Sequence, residues 1–359
     1  TFSNIGTITG SGFGLTIVFQ AFGMDAFAAL ALIATLYHCL NHAVMKSLLF
    51  LGTGAVLHAT GHRNLGRLGG LIHRMPWVTW LTLVGVLAIA GLPPLNGFVS
   101  EWLLLQSFLF TDTVPRPFVN MLLPVGAAVV ALCAALSGYV MVKFFGVIFL
   151  GQPREATLAD AHDANFLQRI GLAWLAAACI LLGLLPVQVI GLLDAACSGL
   201  LGVTLGQRAG HWWLLAPTPT GAASYGPFAF LAVAALVIGA TLWAVSRRYH
   251  RRVRRGPAWD CGFVRLDSRM QDTAEGFGQP IRHIFEGFFA MQRELPLPED
   301  MAPRYRVTVG DHIWRYAYEP LGALVSRVAD LVAGLQRGRI ATYLMFSFVT
   351  LLVLLALVL

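Results

Sequence analysis

What most constrains this sequence is a set of long, almost uncharged apolar runs, each near the length needed to cross a lipid bilayer. The hydrocarbon core of a bilayer is about 30 Å thick and takes about 20 helical residues to span. Seven runs meet or approach that length: 1–23, 26–59, 77–110, 119–150, 169–190, 224–246 and 340–359. They are continuous, whereas barrel strands alternate over segments of about 10 residues. The expected fold is therefore all-α, a polytopic transmembrane helix bundle. Charged residues make up 12% of the chain, about half the share of a soluble domain. From Thr1 the sequence goes straight into an apolar stretch with no cleavable leader pattern, so the spans themselves are expected to direct insertion. The first run looks incomplete.

Three runs are longer than a bilayer requires. At 1.5 Å per residue, 26–59 would extend about 51 Å. Such a helix must tilt, protrude or be interrupted. Arginine sorts the connections. Arg63, Arg67 and Arg74 lie in 60–76, and Arg154 and Arg169 lie in or beside 151–168. Arg247, Arg248, Arg251, Arg252, Arg254 and Arg255 follow the sixth run. The alternate connections hold none near Asp25, then Arg116, then Arg208. The Arg-rich side is expected to be cytoplasmic and the C-terminus to face the other way. Directly after a span, the basic run 247–255 reads as a topology anchor, not a nucleic-acid patch, and no nucleic-acid partner is expected. The five cysteines are scattered without a CxxC pair. With no glycine-rich nucleotide loop and no nucleophile triad, neither cofactor, metal nor catalytic residue is expected.

Between the last two runs the texture changes. Ile313, Tyr316, Leu321, Leu324, Val325, Val328, Leu331, Val332 and Leu335 recur at helical spacing, with Arg315, Arg327 and Asp330 on other faces. This predicts an amphipathic helix over 313–336, lying at the membrane interface, along a partner or on the protein's own surface. A second such helix is expected over 281–295.

The chemistry is carried by the few ionisable residues inside the apolar runs. The chain has two lysines, Lys46 and Lys143, and both lie within them; the other 23 of its 25 basic residues are arginine. Arginine cannot be deprotonated in a protein, whereas lysine titrates when buried. A proton carrier must titrate. His38, His42 and Lys46 are spaced by four, so a helix places them on one face about 6 Å apart along its axis. Imidazole takes a proton on one nitrogen and releases one from the other, so the row makes a water-assisted proton wire. Lys143 lies near a span end, where its ammonium could instead reach the interface, and His58 closes the second run.

The third run reads LAIAGLPPLNGFVSEWLLLQSF (87–108). Pro93, Pro94 and Gly97 interrupt it and free backbone groups that lipid cannot satisfy. Broken helices occur in membranes where they line a cavity. Glu101 follows by one turn and reads as the one carboxylate embedded in an apolar stretch. Its alternative is a proline kink with the carboxylate reaching an interface.

The segments LNHAVMKSLLFLGTGAVLHATGHRNLGRLGGLIHRMPW (40–77) and GLPPLNGFVSEWLLLQ (91–106) resemble the antiporter-type proton-translocating subunits of complex I and its relatives. WDCGF (259–263) and RMQDTAEGFGQPIR (269–282) are similar to the hydrogenase-4 component B branch, which includes the large membrane subunit of formate hydrogenlyase. The resemblance implies a hydrophilic axis through the membrane centre. Lys46 and Glu101 match its two central positions, with His38 and His42 alongside, and Lys143 matches a place that is often basic. The helix 313–336 would be the lateral helix laid along a neighbouring subunit.

The resemblance also divides the chain. Residues 1–190 would be the second-repeat translocation core, 191–246 a loop and a further span, 247–339 the Arg-rich segment and lateral helix, and 340–359 the last span. Family members hold two inverted repeats, so a missing N-terminal half is expected elsewhere. The implied function is proton translocation in a membrane-bound hydrogenase or related oxidoreductase of a bacterial inner membrane. Redox chemistry would reside in partner proteins. Alternatives are a multisubunit sodium/proton antiporter subunit or a non-pumping membrane anchor.

Overall fold

A computed structural model describes residues 2–109, 114–205, 211–217, 223–248, 262, 266–302, 304–336 and 340–358. Most of the basic run 247–255, Arg208 and all of WDCGF except Gly262 lie outside the described residues. The chain divides into two units, Thr1–Phe277 and Gly278–Leu359.

The first unit holds α1 (Phe2–Ala21), α2 (Asp25–Thr60), α3 (Pro76–Ile89), α4 (Asn96–Leu109), α5 (Pro117–Phe149), α6 (Phe166–Leu184), α7 (Pro186–Leu201) and α8 (Pro227–Arg248). Proline opens α3, α5, α7 and α8. It suits a first turn because its missing N–H would have had no intrahelical acceptor there. α6 starts differently. Asn165 accepts from the Gln168 N–H at 2.9 Å, and the Gln168 side chain accepts from the Asn165 N–H at 3.0 Å. This reciprocal cap satisfies two donors at once.

α2 is the central pillar of the unit and packs against α1, α3, α4, α6 and α7. Two apolar clusters grip it. Toward its N-terminal half, Phe19, Leu30, Ile33 and Tyr37 pack with Leu103 and Leu104 of α4. Toward its C-terminal half, Met45 and Leu48 pack with Val78, Ile148, Phe149 and Cys179. The second unit holds an antiparallel pair, β1 (Phe289–Glu294) and β2 (Arg306–Asp311), in the register Phe289 to Asp311 through Glu294 to Arg306. A π-helical turn, Trp314–Tyr318, runs into α10 (Glu319–Gln336), and α11 (Ile340–Val358) follows. α9 (Ala274–Ile284) spans the residue at which the two units are divided.

Five described helices are long and apolar enough to cross a membrane: α2, α5, α6, α8 and α11. α1 is 20 residues long but carries Ser, Thr, Asn and Gly throughout and is not among them. Several expectations are corrected. The fold is mostly helical but not all-α, since β1 and β2 pair. The expected helix 281–295 ends at Ile284, and its second half is β1. The run 169–190 belongs to two helices that meet at Leu185, so 191–201 is helix and not loop. Asp194 sits within α7, so Glu101 is not the one carboxylate in an apolar helix. Asp194 accepts a hydrogen bond from the Leu205 N–H at 2.9 Å.

Candidate functional site

α3 and α4 are separated by six residues, Ala90 to Leu95, that include Pro93 and Pro94. The Pro93–Pro94 bond is cis. Ser137 of α5 donates to the Ile89 carbonyl at 2.9 Å and so satisfies one acceptor at the end of α3. Glycine is needed twice here. Gly91 takes φ +68°, and a Cβ there would lie 2.4 Å from Glu101 Oε2. Gly97 lies in the first turn of α4, where a Cβ would meet the Ala88 carbonyl at 1.9 Å. Gly97 is thus not part of the interruption itself. It lets α4 start hard against α3.

Between α2 and α4 lies a seam of buried polar side chains. His38, Asn41, Asn96 and Ser100 are each fully buried. Asn41 Nδ2 donates to the Asn96 carbonyl at 2.7 Å and to Ser100 Oγ at 3.2 Å. Asn96 Nδ2 returns a bond to the Asn41 carbonyl at 3.4 Å. Ser100 Oγ donates to the Gly97 carbonyl at 3.1 Å. Having given its proton to Gly97, the hydroxyl accepts from His38 Nδ1, 3.0 Å away. That assigns the Nδ1–H tautomer to His38. Its Nε2 makes no hydrogen bond among the described residues and is left able to accept a proton. The ring of His42, also buried, is centred 6.1 Å from that of His38.

Glu101 is buried one residue beyond Ser100. Asn4 of α1 donates to its Oε1 at 3.2 Å. Asn4 also lines a groove of about 240 Å³ with Cys133, Leu136 and Ser137 of α5. The carboxyl therefore stands between the α2–α4 seam on one side and α1 on the other. On α2, Tyr37 precedes the seam and donates to the Leu182 carbonyl of α6.

The remaining sequence candidates lie elsewhere. Lys46 is half-buried and lines an open groove of about 290 Å³ with Phe50 and Thr53 of α2 and Met141 and Phe144 of α5. Lys143 lines a different groove of about 240 Å³ with Arg154, Gln271 and Asp272. His58 lies 16 residues beyond His42, about 24 Å along the axis, and its ring stands 6.1 Å from that of His162. The structure thus joins His38 to the turn that carries Glu101, while Lys46, Lys143 and His58 occupy separate surroundings. Asn4, Asn41, Asn96, Ser100 and His162 were not among the sequence candidates. Asn41 carried a signal, since it lies three residues from His38 on the same helical face.

This site falls in a recognised segment. Residues 13–115 match the family model described as NADH:quinone oxidoreductase/Mrp antiporter, TM. The chain is 34% identical to formate hydrogenlyase subunit 3 of Escherichia coli K12 over 308 residues, covering 85% of this chain and 48% of that protein. It is 28% identical to hydrogenase-4 component B of the same organism over 376 residues, covering 99% of this chain and 54% of that protein. The chain spans about half the length of the curated relatives it matches. Its fold is similar to a chain of an archaeal respiratory membrane complex, the membrane-bound sulfane sulfur reductase. The TM-score is 0.61 at 22% identity, over 99% of this chain and 55% of that one. The seam and the interrupted α3–α4 pair lie mainly within the matched segment: over 13–115 the chain carries the NADH:quinone oxidoreductase/Mrp antiporter membrane segment, and over most of its length it is similar to antiporter-type membrane subunits of complex-I-like assemblies.

Proposed function

We propose that the chain is a proton-translocating membrane subunit of a membrane-bound hydrogenase or a related complex-I-like oxidoreductase. The observation that carries this reading is the row of buried polar groups from His42 through His38 and Ser100 toward Glu101. Ionisable groups buried in a membrane bundle are costly and mark ion pathways. Lys46 continues the row by one helical turn beyond His42. The proton passes from Lys46 to His42, through water to His38 Nε2, and out from Nδ1 to Ser100, whose hydroxyl turns from the Gly97 carbonyl to release its own proton toward Glu101. Imidazole supplies the relay because gaining a proton at one nitrogen allows loss from the other. Lys143 takes the proton onward along α5.

Redox chemistry belongs to partner proteins in this scheme, and this chain contributes protonation sites. The α3–α4 interruption is a discontinuous membrane helix whose turn positions Glu101. α10 is the lateral helix. Its apolar residues Leu321, Leu324, Val325 and Val328 are all exposed within this chain, and they pack along the other membrane subunits. The chain sits in a bacterial inner membrane with its Arg-rich loops cytoplasmic and its C-terminus on the opposite side.

The test is Lys46→Ala in the full complex reconstituted in sealed vesicles, with proton uptake followed by a pH-sensitive dye. Redox turnover should persist under uncoupled conditions while proton uptake is lost. Wild-type uptake in that variant would overturn the assignment.

A further inference from the structure

The stretch between α5 and α6 is pinned at its end. Asp163 accepts from the Trp77 N–H at 2.9 Å and the Val78 N–H at 3.3 Å, both in the first turn of α3. Its Oδ1 also accepts from the Ala164 N–H at 2.8 Å. Arg169 of α6 stands 3.9 Å from Asp163 Oδ2 and 5.5 Å from the centre of the Trp77 ring. Two residues after Asp163, Asn165 caps α6. Residues 163–165 are thereby tied to two helix N-termini, and His162 directly precedes them.

This places the His162 ring 6.1 Å from the ring of His58, near the end of α2. A polar cavity of about 60 Å³ lies there, lined by His58, His162, Asp163, Asn165 and Gln168. It is large enough for a water molecule and offers it several polar partners. Both imidazoles are exposed at the surface. Among the described residues, Asp163 is the charged group that lines the cavity, and Arg169 is its ion partner. His62, one residue past Gly61, contacts Thr157 Oγ1 at 3.4 Å.

We propose that His58 and His162 form a paired-imidazole mouth that exchanges protons between solution and the α2 route. This rests on the proton-carrying reading above. Both rings are left uncovered by the chain, His58 lies about 18 Å along the axis from Lys46 on the helix that also bears His42 and His38, and His162 is held by the Asp163 clamp. Proton transfer through it is a plain exchange: one imidazole nitrogen gains a proton from water while the other releases one into the cavity. His162 acts here as a positioned proton donor and acceptor, and no other group is consumed.

The experiment uses the full complex in sealed vesicles, with His162→Gln, His58→Gln and Lys46→Ala assayed for proton translocation across a range of external pH, with and without added imidazole. His162→Gln and His58→Gln should each slow translocation several-fold. That is less than the ~10²-fold that a positioned proton-transfer group contributes, because water supplies a slower parallel route. The slowing should be relieved by imidazole or by lower external pH, which supply protons that the missing side chain no longer gathers. Lys46→Ala should not be relieved by either. Wild-type translocation in His162→Gln, or slowing that neither imidazole nor acid relieves, would overturn the mouth. Should Lys46→Ala also translocate normally, it is the proton-carrying reading itself that fails.

Discussion

The α2–α4 seam and the α10–α11 segment are both helical and both rich in apolar residues, yet they treat polarity in opposite ways. In the seam, the histidine, asparagine, serine and glutamate side chains are hidden and the helices close around them. In α10 and α11 the apolar side chains are the ones left uncovered by the chain. A soluble protein hides its apolar surface in a core. A membrane protein has an apolar solvent on its outer face, so burial no longer selects for apolarity there. Burial of polar groups then becomes the informative quantity, because each must find a partner or serve a purpose. The difference teaches where to look: in the seam for chemistry, and on the uncovered faces for assembly.

The largest expected effect breaks the seam at Glu101. Glu101→Gln keeps the shape and an acceptor for the Asn4 amide but removes the titratable proton. Proton translocation by the reconstituted complex should fall by about tenfold or more, while the amount of assembled complex stays unchanged. A rate equal to wild type would show that the buried carboxyl is structural only. Next is Gly97→Ala. The added methyl would lie 1.9 Å from the Ala88 carbonyl, and backbone cannot yield as a side chain can. The loss should be about 1–3 kcal/mol, the usual cost of overpacking, read as a lowered Tm in detergent. An unchanged Tm would mean that α4 can draw back from α3 at little cost.

Much of this was legible in the sequence. Ionisable residues in apolar runs are rare enough to stand out, which is how Lys46, His38, His42 and Glu101 were singled out. The interruption between α3 and α4 was legible because two prolines cannot continue a helix. Asn4, Asn41, Asn96 and Ser100 were not, because neutral polar residues are ordinary in helices and only packing reveals which are enclosed. α7 was missed because Pro186 restarts a helix two residues after α6 ends at Leu184, so the apolar run does not break. The strand β1 was read as helix because Phe288 and Phe289 fit either period in a short window. The resemblance matched Lys46 and Glu101 to the two central positions of one hydrophilic axis. The structure instead puts Lys46 in a groove against α5 and bonds Glu101 to α1, which no pattern along one chain could foretell.

Two smaller effects sharpen the contrast. Asp163→Ala removes the acceptor for two backbone donors at the start of α3. By analogy with lost helix caps this should cost about 1 kcal/mol, measurable as a lower midpoint of thermal unfolding, whereas Asp163→Asn should recover part of it. A full loss in the asparagine variant too would point to the ion pair with Arg169, not the cap, as the main contribution.

The smallest effect on the chain itself is expected at α10. Val328 is 51% exposed, so Val328→Asp disturbs no contact that the chain makes with itself and should change its own stability by less than about 0.5 kcal/mol. Placing a carboxylate in the middle of the apolar stripe should nevertheless disrupt whatever that stripe packs along, since an unpaired charge in such an interface is strongly unfavourable. Co-purification of the other membrane subunits with the variant separates the possibilities. Loss of those subunits with an unaltered Tm would place the assembly surface on α10, opposite in character to the seam. Retention of all of them would mean that α10 covers lipid or the protein's own surface, and the uncovered faces of α8 and α11 would then carry the assembly.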